Sequence, residues 1–246
     1  MIPLALKPPQ ISKNEVPEQA WEDLLPAIHS LWEPGQHVSA IGATGGGKTT
    51  TLIQLEDGRR DVVALLTKLR DPLFAELKKR GYKNCTSADE WPSKEWHPKV
   101  MIHIPSIGLD RHSTGRQAEQ VQRILHEVWR RGDYDLYVDE IAELTDLLKL
   151  DVNLRVLYKE ARSSGVSIVA GTQRASRVPL EMYSQPRFIL FWRSSNREEL
   201  KRLAEMNAGD PELVRSVIPQ LDRFEILVVD ALEGELVRTR PPKLGR

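Results

Sequence analysis

Nine residues, "GATGGGKTT" from Gly42 to Thr50, contain four glycines, three threonines and one lysine. Glycine at that density packs no core, but it lets a backbone wrap a ligand with its N–H groups turned inward. The spacing is G-x-x-x-x-G-K-[ST], set after the apolar run "HVSAIG" and before a helical pattern. That context suits a phosphate chain, which the inward N–H groups and the positive end of the next helix would face. Lys48 would reach the β- and γ-phosphates, and Thr49 would offer its hydroxyl to Mg²⁺. Gly42, Ala43, Thr44, Gly45, Gly46, Gly47, Lys48, Thr49 and Thr50 are therefore expected to hold a nucleoside triphosphate. A ligand-free glycine turn is the plainer reading, and Lys and Thr both in register count against it.

Holding a phosphate does not hydrolyse it. "YDLYVDEIAEL" supplies two carboxylates at the end of an apolar run. Asp139 at the strand tip could hold Mg²⁺ through water, and Glu140 could polarise an attacking water. Asp135 interrupts the apolar stretch, so the strand is expected to begin at Leu136. The alternative is a solvated acidic helix start, since Asp and Glu favour that place. A third stretch, "ARSSGVSIVAGTQRAS", carries an apolar strand that ends in Gln173. Gln173 would arrive at the same sheet edge as Asp139, to sense the γ-phosphate or orient water, unless it is simply a satisfied loop amide.

The elements that must position these groups alternate. Strands are expected at "HVSAIG", "DVVALLT", "VMIHIP", "DLYVD", "VSIVAGT" and "RFILFW", with helices over 48–55, 72–80, 115–131 and 152–163. Such alternation requires crossover connections and a mostly parallel sheet covered on both faces. "RFEILVVDALEGELVRTR" predicts an antiparallel hairpin closing the domain. The first residues, 1–34, read as a proline-rich arm with a short amphipathic helix (Trp21, Leu24, Leu25, Ile28 and Leu31 at helical spacing), leaving 35–246 as the main domain.

Composition sets outer limits. Lys plus Arg and Asp plus Glu are 35 each, so no global charge announces a partner. Cys85 is the only cysteine, which excludes an intrachain disulfide and fits a reducing compartment. No stretch approaches a membrane span or a signal peptide, so the expected location is cytoplasmic, in a host cell or with a virion if the chain is viral.

The three stretches, in this order, resemble the FtsK/HerA superfamily of P-loop ATPases: "GATGGGKTT", "YVDEIAEL" and, most distinctively, "ARSSGVSIVAGTQRAS". The likeness runs from about Pro34 to Arg240, and "RFILFWRSSNREELKRL" is similar to the family's next strand and helix. Ala175 departs from it, standing where the family often has proline. The resemblance implies a RecA-like α/β fold, ATP and Mg²⁺ as cofactors, a ring of identical subunits (a hexamer by analogy), and duplex DNA held without sequence specificity. Without a membrane segment, a large N-terminal domain or a winged helix, the chain reads as close to a bare motor core, with targeting left to a capsid, membrane or other protein partner.

Other nucleotide-binding classes fit less well. In "LLTKLRD" the aspartate comes one position late for a guanine-reading motif, so the stretch reads as a structural strand exit and the base as adenine. No Ser-Gly-Gly signature precedes "YVDE", against an ABC-type ATPase. A ring motor needs a cation from the neighbouring subunit at the γ-phosphate, where charge develops. Arg162, which matches the family's arginine before the "TQR" strand, is the first candidate, with Arg193 and Arg174 as alternatives. For DNA, two places offer local charge: Arg111, His112 and Arg116 on a polar loop, and Arg238, Arg240, Lys243 and Arg246 in the tail. The reading is an ATP- and Mg²⁺-dependent oligomeric DNA motor of packaging, segregation or transfer type; the alternative is a nucleotide-driven switch or assembly ATPase acting on a protein.

Overall fold

The computed structural model describes residues 11–174, 178–204 and 210–243; Ala175, Arg246 and the opening "MIPLALKPPQ" lie outside them. In chain order the helices are α1 (Trp21–Leu31), α2 (Lys48–Asp57), α3 (Leu73–Lys79), α4 (Arg111–Arg131), α5 (Asp151–Glu160), α6 (Glu181–Ser184), α7 (Arg197–Ala204) and α8 (Pro211–Val217). The strands are β1 (His37–Ile41), β2 (Val62–Leu66), β3 (Lys83–Cys85), β4 (Lys99–His103), β5 (Asp135–Val138), β6 (Ser167–Thr172), β7 (Pro186–Trp192), β8 (Ile226–Asp230) and β9 (Glu235–Thr239). They form one sheet in the order β3-β4-β2-β5-β6-β1-β7-β8-β9. Strands β1 to β7 run parallel, and β8 and β9 turn back antiparallel. This is the α/β architecture with a closing hairpin that the alternating pattern predicts.

Burial on both faces explains why the strands read as unbroken apolar runs. In β2, Val63 and Leu65 join the core beneath α4, α5 and α6, while Val62, Ala64 and Leu66 join the core beneath α1, α2 and α3. In β8, Leu227 and Val229 face the first core, and Ile226 and Val228 the second. The period of two divides each strand between the layers.

The expected amphipathic helix forms α1, with Trp21, Leu24 and Ile28 buried in the second core; Leu31 is exposed, and the following Trp32 is buried in its place. Ahead of it the chain lies along the outer edge of β9: Arg238 N–H donates to Pro17 O (2.8 Å) and Gln19 N–H to Arg238 O (2.9 Å). That pairing covers a sheet edge that would otherwise be open.

Two boundaries correct the sequence reading. Strand β5 begins at Asp135, not Leu136, because Arg59 forms an ion pair with the buried carboxylate and removes the cost of an unpaired charge. Helix α4 begins at Arg111, not Gly115. Asp110 caps it by accepting from Ser113 N–H (2.9 Å) and Ser113 Oγ (2.7 Å). Arg111, His112 and Arg116 therefore stand exposed on the first turns of a helix, not on a loop.

Candidate nucleotide-binding and catalytic site

The connection after β1 goes to α2 on one face of the sheet, and the chain leaving β6, the neighbour of β1, reaches α6 on the other. Such a divergence opens a crevice at the carboxyl ends of the strands, where open α/β sheets take their ligands. The glycine loop lies there. Gly45 and Gly47 have φ of +79° and +97°, conformations that L side chains rarely adopt, so glycine is required for this path. Gly47 is also the residue from which α2 starts, so the helix N-terminus opens at the loop.

A cavity of about 550 Å³ opens at this point, bounded by residues 44–51 on one side and by Lys68, Asp139 and Gln173 on another. Lys48 is 7% exposed. Burial pulls its ammonium below the ordinary lysine range, against the opposing fields of Asp139 and Glu140. Thr49 Oγ1 donates to Asp139 Oδ1 at 2.6 Å, and Tyr137 OH donates to the same oxygen at 3.3 Å. Thr44 Oγ1 donates to Gln173 Oε1 at 2.6 Å, joining the loop to the end of β6. The three sequence stretches therefore meet.

Glu140, next in the chain, is held differently. Thr172 Oγ1 donates to its Oε1 (2.9 Å) and the Gln173 backbone N–H to its Oε2 (3.1 Å). Burial raises its carboxyl above the usual range despite these bonds and the nearby Lys48 and Lys68. Close approach of β5 and β6 makes this possible: a Cβ on Gly171 would lie 2.3 Å from Asp139 O. A side chain at 171 would push the two acidic residues away from the loop.

Hard oxygen donors suit Mg²⁺, which uses few protein ligands and completes its shell with phosphate and water. The Thr49 hydroxyl and the Asp139 carboxylate, already in contact, are such a pair. No group of three or more His, Cys, Asp or Glu that could cage a metal occurs among the described residues.

Lys68, in the stretch that the sequence presents as a structural strand exit, is brought to this site as well. It leaves β2 at the carboxyl edge, lines the same cavity, and lies 3.4 Å from Glu143 Oε1. Burial would lower its ammonium, but Glu143, Asp139 and Asp71 outweigh that and raise it. The available signal was its position directly after a parallel strand. Of the arginines, Arg174 and Arg193 leave β6 and β7 at the cavity's edge of the sheet and are exposed, whereas Arg162 lies exposed before β6, at the opposite edge. The tail is not a free basic cluster. Arg238 is buried against Glu225 (2.6 Å), Arg240 pairs with Asp222 (2.7 Å), and Lys243 lies over the Phe224 ring.

No family model and no curated protein sequence matches the chain. Solved structures do match. The DNA-packaging ATPase B204 from Sulfolobus Turreted Icosahedral Virus has a TM-score of 0.63 at 17% identity, covering 86% of this chain and 100% of its own. The genome packaging NTPase B204 from Sulfolobus turreted icosahedral virus 2, in complex with ATP-gammaS, gives 0.64 at 16%, with 87% and 100% covered. VirB4 of Thermoanaerobacter pseudethanolicus gives 0.62 at 12%, with 85% and 89% covered. At these identities the likeness is one of fold. That shared fold is the α/β ATPase fold that the resemblance of the three motifs implies. No described helix is long and apolar enough to cross a membrane.

Proposed function

We propose that the chain is an ATP-hydrolysing, Mg²⁺-dependent motor that moves DNA as an oligomer. The observation that carries the hydrolytic half is the junction of three strand ends: Thr49 on Asp139, Thr44 on Gln173, and Glu140 on Thr172 and the Gln173 amide. In this reading the N–H groups of residues 43–48 and the Lys48 ammonium bind the β- and γ-phosphates. Thr49 and Asp139 would hold Mg²⁺, which when bound neutralises charge on the phosphate oxygens. Glu140 takes a proton from the attacking water, and its raised basicity suits that task. Gln173, touching the loop through Thr44, is placed to register whether a γ-phosphate is present.

Arg162 stands at the far edge of the sheet from Lys48, away from its own chain's cavity, so in this reading any γ-phosphate it serves would be a neighbouring copy's. Arg174 and Arg193 lie at the near edge and remain candidates for the same part. The DNA half rests on the fold shared with packaging ATPases and on the exposed Arg111, His112 and Arg116, which suit contacts to a phosphate backbone.

Glu140→Gln tests the site itself. The variant should bind ATP with an unchanged Kd and lose turnover by about 100-fold or more, the usual worth of a general base. Turnover within a few-fold of the unaltered chain would remove Glu140 from the mechanism.

A further inference from the structure

The cavity extends beyond its phosphate end, and the other wall is made by Phe224, Pro241 and Lys243. Phe224 has φ of +67°, a left-handed conformation that a bulky L residue takes rarely and at a cost. A turn needing that geometry would by default use glycine. Phenylalanine instead sets a ring above the phosphate loop, with Cδ1 3.6 Å from where a Cβ on Gly47 would be. The ring is half-buried, with Arg223 Cζ 4.8 Å and Lys243 Nζ 4.9 Å from its centroid. The tail that brings Pro241 and Lys243 to the cavity is fixed to α2. Gln54 Nε2 donates to Pro242 O (2.9 Å), while Trp21 Nε1 donates to Gln54 Oε1 (2.6 Å).

Resting on the nucleotide-site reading above, we infer that Phe224 is the platform on which the base of the bound nucleotide stacks, with Pro241 and Lys243 closing over it. With the γ-phosphate between Lys48, Asp139 and Gln173, the remainder of the nucleotide runs along the loop toward Gly47 and Phe224. The volume of about 550 Å³ lies within the range of roughly 300–1,000 Å³ that takes a molecule of this size. Among the described residues, the platform's side chains hold the face of the base and carry nothing that tells one purine edge from the other. Phe224 and Pro241 have no side-chain hydrogen-bonding group, and Lys243 offers donors that adenine and guanine N7 accept equally. Stacking of this kind tolerates any base.

The test compares binding of ATP, GTP and inorganic tripolyphosphate to the full chain and to Phe224→Gly and Phe224→Tyr. Glycine fits the left-handed turn, so Phe224→Gly should keep or raise Tm. Its Kd for ATP should rise about 10-fold while its Kd for tripolyphosphate stays constant. Phe224→Tyr, which keeps an aromatic face, should bind ATP as the unaltered chain does, and ATP and GTP should bind the unaltered chain within about 10-fold of each other. A Phe224→Gly variant that melts early and weakens both ligands alike would make the ring a structural prop. An unaltered chain that binds tripolyphosphate as tightly as ATP would overturn the platform and leave the phosphate site standing. Failure to bind any of the three would overturn both.

Discussion

Asp139 and Glu140 are adjacent carboxylates with separate partners, because successive side chains at a strand end point to opposite sides. Asp139 takes two hydroxyl donors beside the loop, and Glu140 takes a hydroxyl and an amide from β6. Both acids and the strand that ends at Thr172 are legible in the sequence; the hydrogen bonds by which Thr172 and the Gln173 amide hold Glu140 are not, since they join residues remote in the chain. A third acid, Glu56 on α2, behaves differently. It is 1% exposed, and neither carboxyl oxygen has a hydrogen-bond partner among the described residues. Burial first, and then the field of Asp135, raise its carboxyl well above the usual range, while Arg59 and Lys99 oppose them; Asp57 and Tyr82 complete its charged and titratable surroundings. A folded-state value above the unfolded one means that this carboxyl's contribution to stability is fullest at acidic pH and is lost as pH rises above about 4.5 through the raised value. Glu56→Gln, neutral at every pH, should therefore gain about 2 kcal/mol over the unaltered chain near pH 8 and much less near pH 5. Chemical denaturation at the two pH values checks this; a gain independent of pH would show that the carboxyl is not protonated in the fold.

Elements with strong periodicity were readable, and those built by tertiary contacts were not. The long buried strands announced themselves as apolar runs, whereas β3, "KNC", has two exposed residues out of three and exists because β4 pairs with it. The first turn of α4 was hidden behind polar residues and Gly115, although Asp110 three places before Ser113 was a visible capping signal. Helix α1 was visible as amphipathic, but its partner was not. Trp21 is buried beneath the sheet and donates to Gln54 on α2, which in turn holds the tail. Trp21→Ala should cost about 3–5 kcal/mol, the range for deleting a buried tryptophan. Thermal unfolding monitored by circular dichroism checks the loss. A loss below about 1 kcal/mol would show α1 to be a loosely attached arm.

At the scale of the molecule, the carboxyl edge of the sheet collects every motif group except Arg162, which lies at the other edge. Copies arranged head to tail would bring one chain's amino edge to the next chain's cavity, an arrangement that closes into a ring when the rotation permits. Net charge is zero, so any hold on DNA is local, and the exposed cations at the start of α4 are where it would be felt. In the proposed function, nucleotide turnover and DNA movement are one activity. Its most direct test is steady-state ATP hydrolysis by the unaltered chain, titrated with duplex DNA of random sequence at low and moderate salt. Turnover should rise several-fold with DNA, the rise should be insensitive to sequence, and it should weaken as salt increases. Turnover that is unchanged by DNA at every concentration, yet rises with a protein partner, would contradict the proposed function.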